Sequence, residues 1–283
     1  MTESDQSKNL MKLNAYYNDT RYGNKKLMWL VEKREKVDET RALLRNIANV
    51  GKQGIKKTAF QVKCYLNPKL INDKKIKYQF DHSDELNYKV KGDYREHEIA
   101  VYTSIFGNYD HLIEPLYESK YCDYFAITDQ EVSNSSVWKK LDCSGIDGFD
   151  KLDDYHKAKF CKMFPHILFP KYKYSIWVDG NVQIVADMMP LIDRMNNAAM
   201  ATFENPRHNC IYTEARYNIC QNNARVGELE NQIQIYKQDG FPVQFGMREF
   251  SIIARKNQDV EMQHLMELWW EHLICYIFLL LFT

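Results

Sequence analysis

The stretch KYKYSIWVDGNVQI, residues 171–184, interrupts a strand-forming run with Asp179, Gly180 and Asn181. Aspartate and glycine are poor strand formers, so local propensity does not explain why they stand there. One interpretation is a hairpin between two strands, since Asp-Gly favours a type I′ turn. The other is a strand that carries a carboxylate to a binding site. These fourteen residues alone favour the hairpin, and the choice depends on the rest of the chain.

Composition indicates a globular protein with an uneven charge distribution. Residues 1–95 hold 21 Lys and Arg against 12 Asp and Glu, whereas residues 96–283 hold 17 against 26. Seven cysteines without a C-x-x-C pair argue against a disulfide framework or a Cys-rich zinc site and favour a reducing compartment. The apolar run LICYIFLLLFT is shorter than the about 20 residues that span a bilayer. The expected location is therefore cytoplasmic.

The residue pattern changes near Glu98. Residues 1–97 are predicted to form a basic, mostly helical extension and linker, with helices over 25–50 and 55–66. From residue 98 onward, short apolar runs alternate with helical segments, which is typical of an α/β domain with a mostly parallel sheet. The strands are predicted at 98–106, 124–129, 174–178, 181–185, 199–206 and 248–256.

Several of these predicted strands end in acidic or turn residues, namely Tyr109 with Asp110, Asp129 and Asp179. Ligands of open α/β sheets bind beyond the carboxyl ends of the strands. A divalent cation beside a diphosphate takes carboxylate, phosphate and water oxygens as ligands. Asp179 and Asn181, two positions apart in an extended chain, would point to the same side. The pattern predicts a metal and phosphate site at this edge.

Five segments in order carry a family resemblance: FGNYD, FAITD, KAKFCKMFPHILFPKYKYSIWVDGNVQI, NPRHNCIYTEA and WWE. Over residues 98–271 they resemble the mucilage-related and turgor-regulation glycosyltransferase-like domain family, whose bacterial members are similar to capsular or cell-surface polysaccharide glycosyltransferases. The layout also resembles the retaining family-eight glycosyltransferases. The resemblance implies a GT-A-like nucleotide-diphospho-sugar-binding domain in residues 98–283, and it reverses the preference for the hairpin.

The resemblance also implies roles for individual residues. Asp179 and Asn181 match the D-x-D position, with Asn in place of the second acid, and are expected to bind Mn²⁺ or Mg²⁺. Asp179 and Glu214 are the expected catalytic residues. The residues expected to contact the nucleotide sugar are Phe106, Gly107, Asn108, Tyr109, Asp129, Lys157, Lys159, Lys162, Gly180 and His208. The three lysines would offer positive charge to the diphosphate leaving group.

The expected function is metal-assisted transfer of a sugar, from a UDP-sugar or related nucleotide sugar, to a cell-surface or capsular glycan or a lipid-linked acceptor. The basic extension fits peripheral contact with the inner face of a membrane, and no nucleic acid is expected. The ending HLICYIFLLLFT differs from the family's continuation, so a truncated or altered C-terminus is expected. The alternative is a catalytically impaired remnant that binds a nucleotide or acts as a scaffold. A nucleotidyltransferase is disfavoured, because SIFGNYD lacks a glycine-rich basic phosphate loop.

Overall fold

The computed structural model describes residues 40–41, 43–70, 90–205, 208–221 and 226–275. They divide into two compact units. The first unit contains the described residues of Asp81–Phe203 and Glu249–Glu271, and the second contains those of Ala15–Phe80, Glu204–Arg248 and His272–Thr283. Within the described ranges, no helix combines the length and the apolar character that crossing a membrane requires.

The first unit is built on a six-stranded sheet. Its strands are β1 (Ile99–Ile105), β2 (Cys122–Thr128), β3 (Lys139–Lys140), β4 (Tyr174–Val178), β5 (Met200–Glu204) and β6 (Arg248–Lys256). Their order across the sheet is β3-β2-β1-β4-β6-β5. β1 runs parallel to β2 and β4, β2 runs parallel to β3, and β6 runs antiparallel to β4. The predicted α/β class with a mostly parallel sheet is confirmed.

The helices alternate with these strands in the first unit and dominate the second. In chain order they are α1 (Val50–Gln53), α2 (Ile55–Leu66), α3 (Asp154–Met163), α4 (Pro165–Leu168), α5 (Met189–Met195), α6 (Ile211–Gln221), α7 (Val226–Gln238) and α8 (Val260–Cys275). The predicted helix over 55–66 is confirmed, whereas most of the helix predicted over 25–50 lies outside the described residues. The predicted division of the chain after residue 97 stays a prediction.

Both faces of the sheet are covered, as expected for parallel strands buried on each side. Ile99, Val101, Ile176 and Val178 belong to an apolar core on one face. The opposite face contacts α3, where Ser104 Oγ donates to the carbonyl of Ala158 at 3.3 Å. This packing places α3 directly over the central strands β1 and β4.

Local sequence signals explain both ends of α3. The carboxylate of Asp153 accepts the backbone N–H of His156 at 2.8 Å and caps the first turn. The helix ends at Met163, and Pro165 opens the separate short helix α4. Proline lacks the backbone donor that a continuing helix needs, so Pro165 stands where α3 has ended and α4 begins.

The strand predicted at 181–185 does not form. Instead, the backbone N–H of Val182 donates to the carbonyl of Asp179 at 2.9 Å and closes a turn over residues 179–182. Neither central residue of this turn has a positive φ, so it is not the type I′ turn that a hairpin would use. β4 pairs with β1 and β6 rather than with the residues that follow the turn. The structure therefore contains neither the predicted strand at 181–185 nor a hairpin at residues 179–182.

The second unit packs the helical residues of the N-terminal extension against α6. Asn46 Nδ2 donates to the carbonyl of Cys220 at 3.0 Å, and Gln61 Nε2 donates to that of Ile219 at 3.1 Å. Both side chains are almost completely buried. These amide donors use the carbonyls near the end of α6, which have no acceptor role inside the helix.

Candidate functional site

The carboxyl ends of β2, β1 and β4 lie side by side, because β1 is the strand between the other two. We call residues 106–110, 129–130 and 179–182 the carboxyl rim. The N–H of Gly107 donates to Asp129 Oδ2 at 2.9 Å, and Gln130 Nε2 donates to the carbonyl of Asp110 at 2.7 Å. The loop after β1 is thereby fixed to the end of β2. The structure thus brings together the strand ends that the sequence pattern predicted to converge.

Gly180 joins the third strand end to the rim. A Cβ atom at this position would lie 2.9 Å from Ile105 Cγ1 and 3.6 Å from Asp110 Cβ. A glycine is therefore needed at position 180 because the backbone passes directly against the end of β1. This reason holds whether or not a ligand also approaches the residue.

Asp179 forms a specific ion pair at the rim. Its Oδ1 accepts hydrogen bonds from Lys162 Nζ at 2.9 Å and from Trp177 Nε1 at 2.6 Å. The Asp179 side chain is 32% exposed, whereas that of Lys162 is only 9% exposed. The carboxylate is thus held between a buried cation and a buried indole, with one side facing solvent.

Lys162 is fixed at its backbone as well as at its ammonium group. It is the penultimate residue of α3, and its carbonyl accepts from Arg255 Nη1 at 2.6 Å and from Tyr102 Oη at 3.4 Å. Its Nζ lies 5.4 Å from the centre of the Trp177 ring, within cation–π range. The side chain therefore reaches from a fixed helix end to Asp179.

Burial dominates the electrostatics of this pair. The pKa of Lys162 is lowered to about 8, mainly by desolvation and also by the nearby Lys159 and Arg255, while attraction to Asp179 opposes the shift. Burial also lowers the pKa of Lys159, and Asp179 opposes that shift. Beside the rim, burial thus disfavours the charged form of Lys162, and the contact with the Asp179 carboxylate favours it.

The other predicted nucleotide-sugar residues lie on or near the rim. Tyr109 is 88% exposed, and Asn108 adopts a positive φ of 55° next to it. The Phe106 ring contacts the Phe149 ring, and Lys157 Nζ lies 5.9 Å from that Phe149 ring. Their proposed roles in binding stay predictions, as do the roles of the rim residues described above.

His208 and Glu214 belong to the second unit, where they pair with each other. His208 Nδ1 hydrogen bonds to the carboxylate of Glu214, whose other oxygen accepts from Asn218 Nδ2 at 3.0 Å. His208 is 1% exposed, and its backbone N–H donates to Asn205 Oδ1 at 3.0 Å. The pair is a built structural feature, and its predicted catalytic and binding roles stay predictions.

The side chains at the rim do not fit a metal site formed by the protein alone. Asp179 Oδ1 is already neutralised by Lys162 and also accepts from Trp177. Asn181 is exposed in the turn, so the extended geometry expected to align it with Asp179 is absent. Among the described residues, no three His, Cys, Asp or Glu side chains are grouped to hold a metal ion. The Mn²⁺ or Mg²⁺ ion stays a prediction from the family resemblance.

Sequence reasoning missed Trp177 and Arg255. Trp177 stands two positions before Asp179 on the same face of β4, which is the period-two signal that a strand offers. Arg255 lies in the apolar run SIIAR and is 0% exposed. A charged residue at a core position of a strand was the available sign that this side chain has a specific task.

The contact at Gly180 yields a first prediction. Gly180→Ala should lower the free energy of unfolding by about 1–3 kcal/mol, because the added methyl group would overlap Ile105 in a packed region. Gly145→Ala is the matched control, since no atom lies within 4 Å of its added Cβ. Urea unfolding of the two variants measures the difference. Equal midpoints would show that the rim has room for the methyl group.

Comparisons with known proteins agree with the resemblance in the sequence. The family described as "TOD1/MUCI70, glycosyltransferase-like domain" matches residues 55–260, which includes α2 as well as the sheet. The "Probable hexosyltransferase MUCI70" of Arabidopsis thaliana is 26% identical over 163 residues, which are 50% of this chain and 27% of that relative. The chain thus aligns with about a quarter of the relative's length.

A solved structure, the mannosyltransferase Ktr4p of S. cerevisiae, is also similar over 82% of this chain and 76% of its own. The TM-score is 0.31 and the sequence identity 11%.

Proposed function

Because the chain belongs to the TOD1/MUCI70 glycosyltransferase-like domain family, we propose that it transfers a sugar from a nucleotide-sugar donor to a glycan acceptor. The Lys162–Asp179 pair is the observation that carries the proposal. It places a buried ammonium group at the carboxyl edge of the sheet, where ligands of open α/β domains bind.

The chemistry that the pair supports is departure of a nucleoside diphosphate. In the transfer, the bond between the anomeric carbon and the diphosphate oxygen breaks, and its electron pair stays on the diphosphate. An acceptor hydroxyl forms the new bond to the anomeric carbon, and its proton passes to the departing diphosphate or to water. Lys162 offers a preorganised positive charge where negative charge develops, and a partly buried setting makes that charge more effective than it would be in water.

The loop after β1 fits the nucleoside end of the donor. Gly107 has a positive φ of 65° and is exposed, and Asp129 fixes its N–H, while the Asp154 carboxylate lies on the side where a Cβ atom would stand. The carboxylate of Asp129 retains a second oxygen for a ribose hydroxyl or a base N–H. We therefore propose that the donor is a UDP-sugar or a related nucleotide sugar. From the family resemblance, we propose that the acceptor is a cell-surface or capsular glycan or a lipid-linked acceptor. A cytoplasmic location belongs to the same proposal.

A donor screen tests this function. The purified chain is incubated with UDP-, GDP- and ADP-linked sugars, with and without an oligosaccharide mixture, and release of the nucleoside diphosphate is measured. Turnover with at least one donor is expected. Binding without turnover would indicate a nucleotide-binding remnant, and neither binding nor turnover would contradict the proposal.

Asp129 provides a separate prediction for donor binding. Asp129→Ala should raise the KM for the donor by about tenfold with little change in kcat, because a hydrogen bond to a charged group is worth about 1.5–3 kcal/mol. The loss frees the Gly107 loop but leaves Lys162 and Asp179 in place. Asp142→Ala is the control, since that exposed carboxylate accepts only from neighbouring Ser144 in the hydrogen bonds of the described residues. A change confined to kcat would place Asp129 elsewhere in the reaction.

A further inference from the structure

The buried face of the sheet beneath α3 holds a guanidinium that no carboxylate of the described residues contacts. Arg255 on β6 is 0% exposed, and its Nη1 donates to the Lys162 carbonyl at 2.6 Å and approaches Met266 Sδ at 3.5 Å. Its Nε and Nη2 have no hydrogen-bond partner among the described residues. Tyr102 also interacts with this guanidinium but stays neutral, so a buried positive charge remains, and such a charge favours a nearby anion.

The balance of charge around Asp179 leads to the same expectation. Lys162 and Arg255 are both buried cations, and the one carboxylate in contact with either is that of Asp179, as far as the described residues show. Tyr102, which also contacts the Lys162 carbonyl, is held neutral because burial raises its pKa. The pair of cations therefore keeps about one positive charge in excess.

We propose that the ammonium group of Lys162, positioned by Arg255, binds the donor diphosphate directly. It would provide the positive charge that a divalent metal ion provides in metal-dependent sites. The inference rests on the proposed function and concerns how that site handles its leaving group. Arg255 is a positioning residue in this account. It fixes the carbonyl of Lys162 while Asp179 fixes the ammonium group, and neither contact needs a metal ion.

Two features of Asp179 agree with this assignment. Its Oδ1 already accepts from Lys162 and Trp177, so a metal ion would compete with a buried ammonium group for the same carboxylate. The turn at residues 179–182 also removes the aligned second ligand that an extended chain would offer. Asp179 is then the residue that keeps Lys162 charged and correctly oriented.

Binding of UDP, GDP and inorganic pyrophosphate to the full chain, measured by calorimetry in EDTA and again with Mn²⁺, tests the proposal. For the ligand that binds most tightly, the Kd in EDTA and the Kd with Mn²⁺ should agree within about threefold. Lys162→Met should weaken that binding by about tenfold or more in both, since it removes a charge-assisted hydrogen bond. Lys173→Met is the matched control, because that lysine precedes β4 at the other end of the strand and pairs with Glu98.

The role of Arg255 is tested in the same assay. Arg255→Met should weaken diphosphate binding and lower kcat, and Arg255→Lys should restore part of both, whereas a purely structural role would change only the melting temperature, which is recorded for each variant. Binding that disappears in EDTA and returns with Mn²⁺ would overturn the inference and leave the proposed function intact. If none of the three ligands binds in either buffer, the proposed function fails together with it.

Discussion

Replacing Asp179 with alanine is expected to lower kcat/KM for sugar transfer by at least about 100-fold, the scale on which active sites respond to loss of one preorganised electrostatic group. Two donors lose their acceptor at once, namely Lys162 Nζ and Trp177 Nε1. Since attraction to Asp179 raises the pKa of Lys162, its removal lowers that pKa further. A larger fraction of Lys162 is then neutral at pH 7 and cannot neutralise the leaving diphosphate.

Release of the nucleoside diphosphate measures this loss, and two further variants identify its cause. Asp179→Asn keeps an oxygen acceptor without the charge, so it should be nearly as inactive if the charge matters. Asp147→Ala removes an exposed carboxylate from the loop before α3 and should leave the rate unchanged. Full activity of Asp179→Ala would show that the Lys162–Asp179 ion pair has no role in the reaction. The proposed function would then lose its main support.

The second large effect is a loss of activity as the pH rises. The ammonium form of Lys162 is the one that interacts with a diphosphate, and burial lowers its pKa from 10.5 to about 8. kcat/KM, which reports groups of the free enzyme, should therefore fall about tenfold per pH unit above pH 8. A bound diphosphate favours the ammonium form, so the corresponding fall in kcat should lie at higher pH.

Stability should change in the opposite direction over the same range. Between pH 8 and 10.5 the unfolded chain keeps its proton on residue 162 while the folded chain has lost it, so this group makes unfolding less favourable as the pH rises. The penalty for the buried charge is complete below pH 8 and is relieved above it. Loss of activity without a matching fall in the melting temperature would therefore identify titration at the site rather than unfolding.

Variants assign the pH effect to a residue. The groups facing Lys162 are Asp179, which raises its pKa, and Lys159 and Arg255, which lower it. Lys162→Met should lower kcat/KM by about 100-fold at pH 7 and abolish the decline above pH 8. Lys159→Met should keep the decline and move it to higher pH, because one neighbouring cation is gone. A decline that persists in Lys162→Met would assign it to another group.

The sequence by itself determined the class of the fold and the edge at which the site lies. Alternation of short apolar strands with helices required a mostly parallel sheet, and β4 and β6 formed where YSIWV and REFSIIARK predicted them. Acidic residues at strand ends were predicted to meet because parallel strands end at one edge. Pro165 ended α3 for a reason that is local to the backbone.

The tertiary structure alone decided which side chains act on Asp179. Lys162 was one of three lysines with similar sequence signals, and only the packing of α3 over β1 and β4 selected it as the partner of that carboxylate. Arg255 lies 93 positions further along the chain from Lys162, and no local pattern connects the two. Contacts between residues far apart in sequence depend on how whole elements pack, and that packing also replaced the predicted strand at 181–185 with a turn.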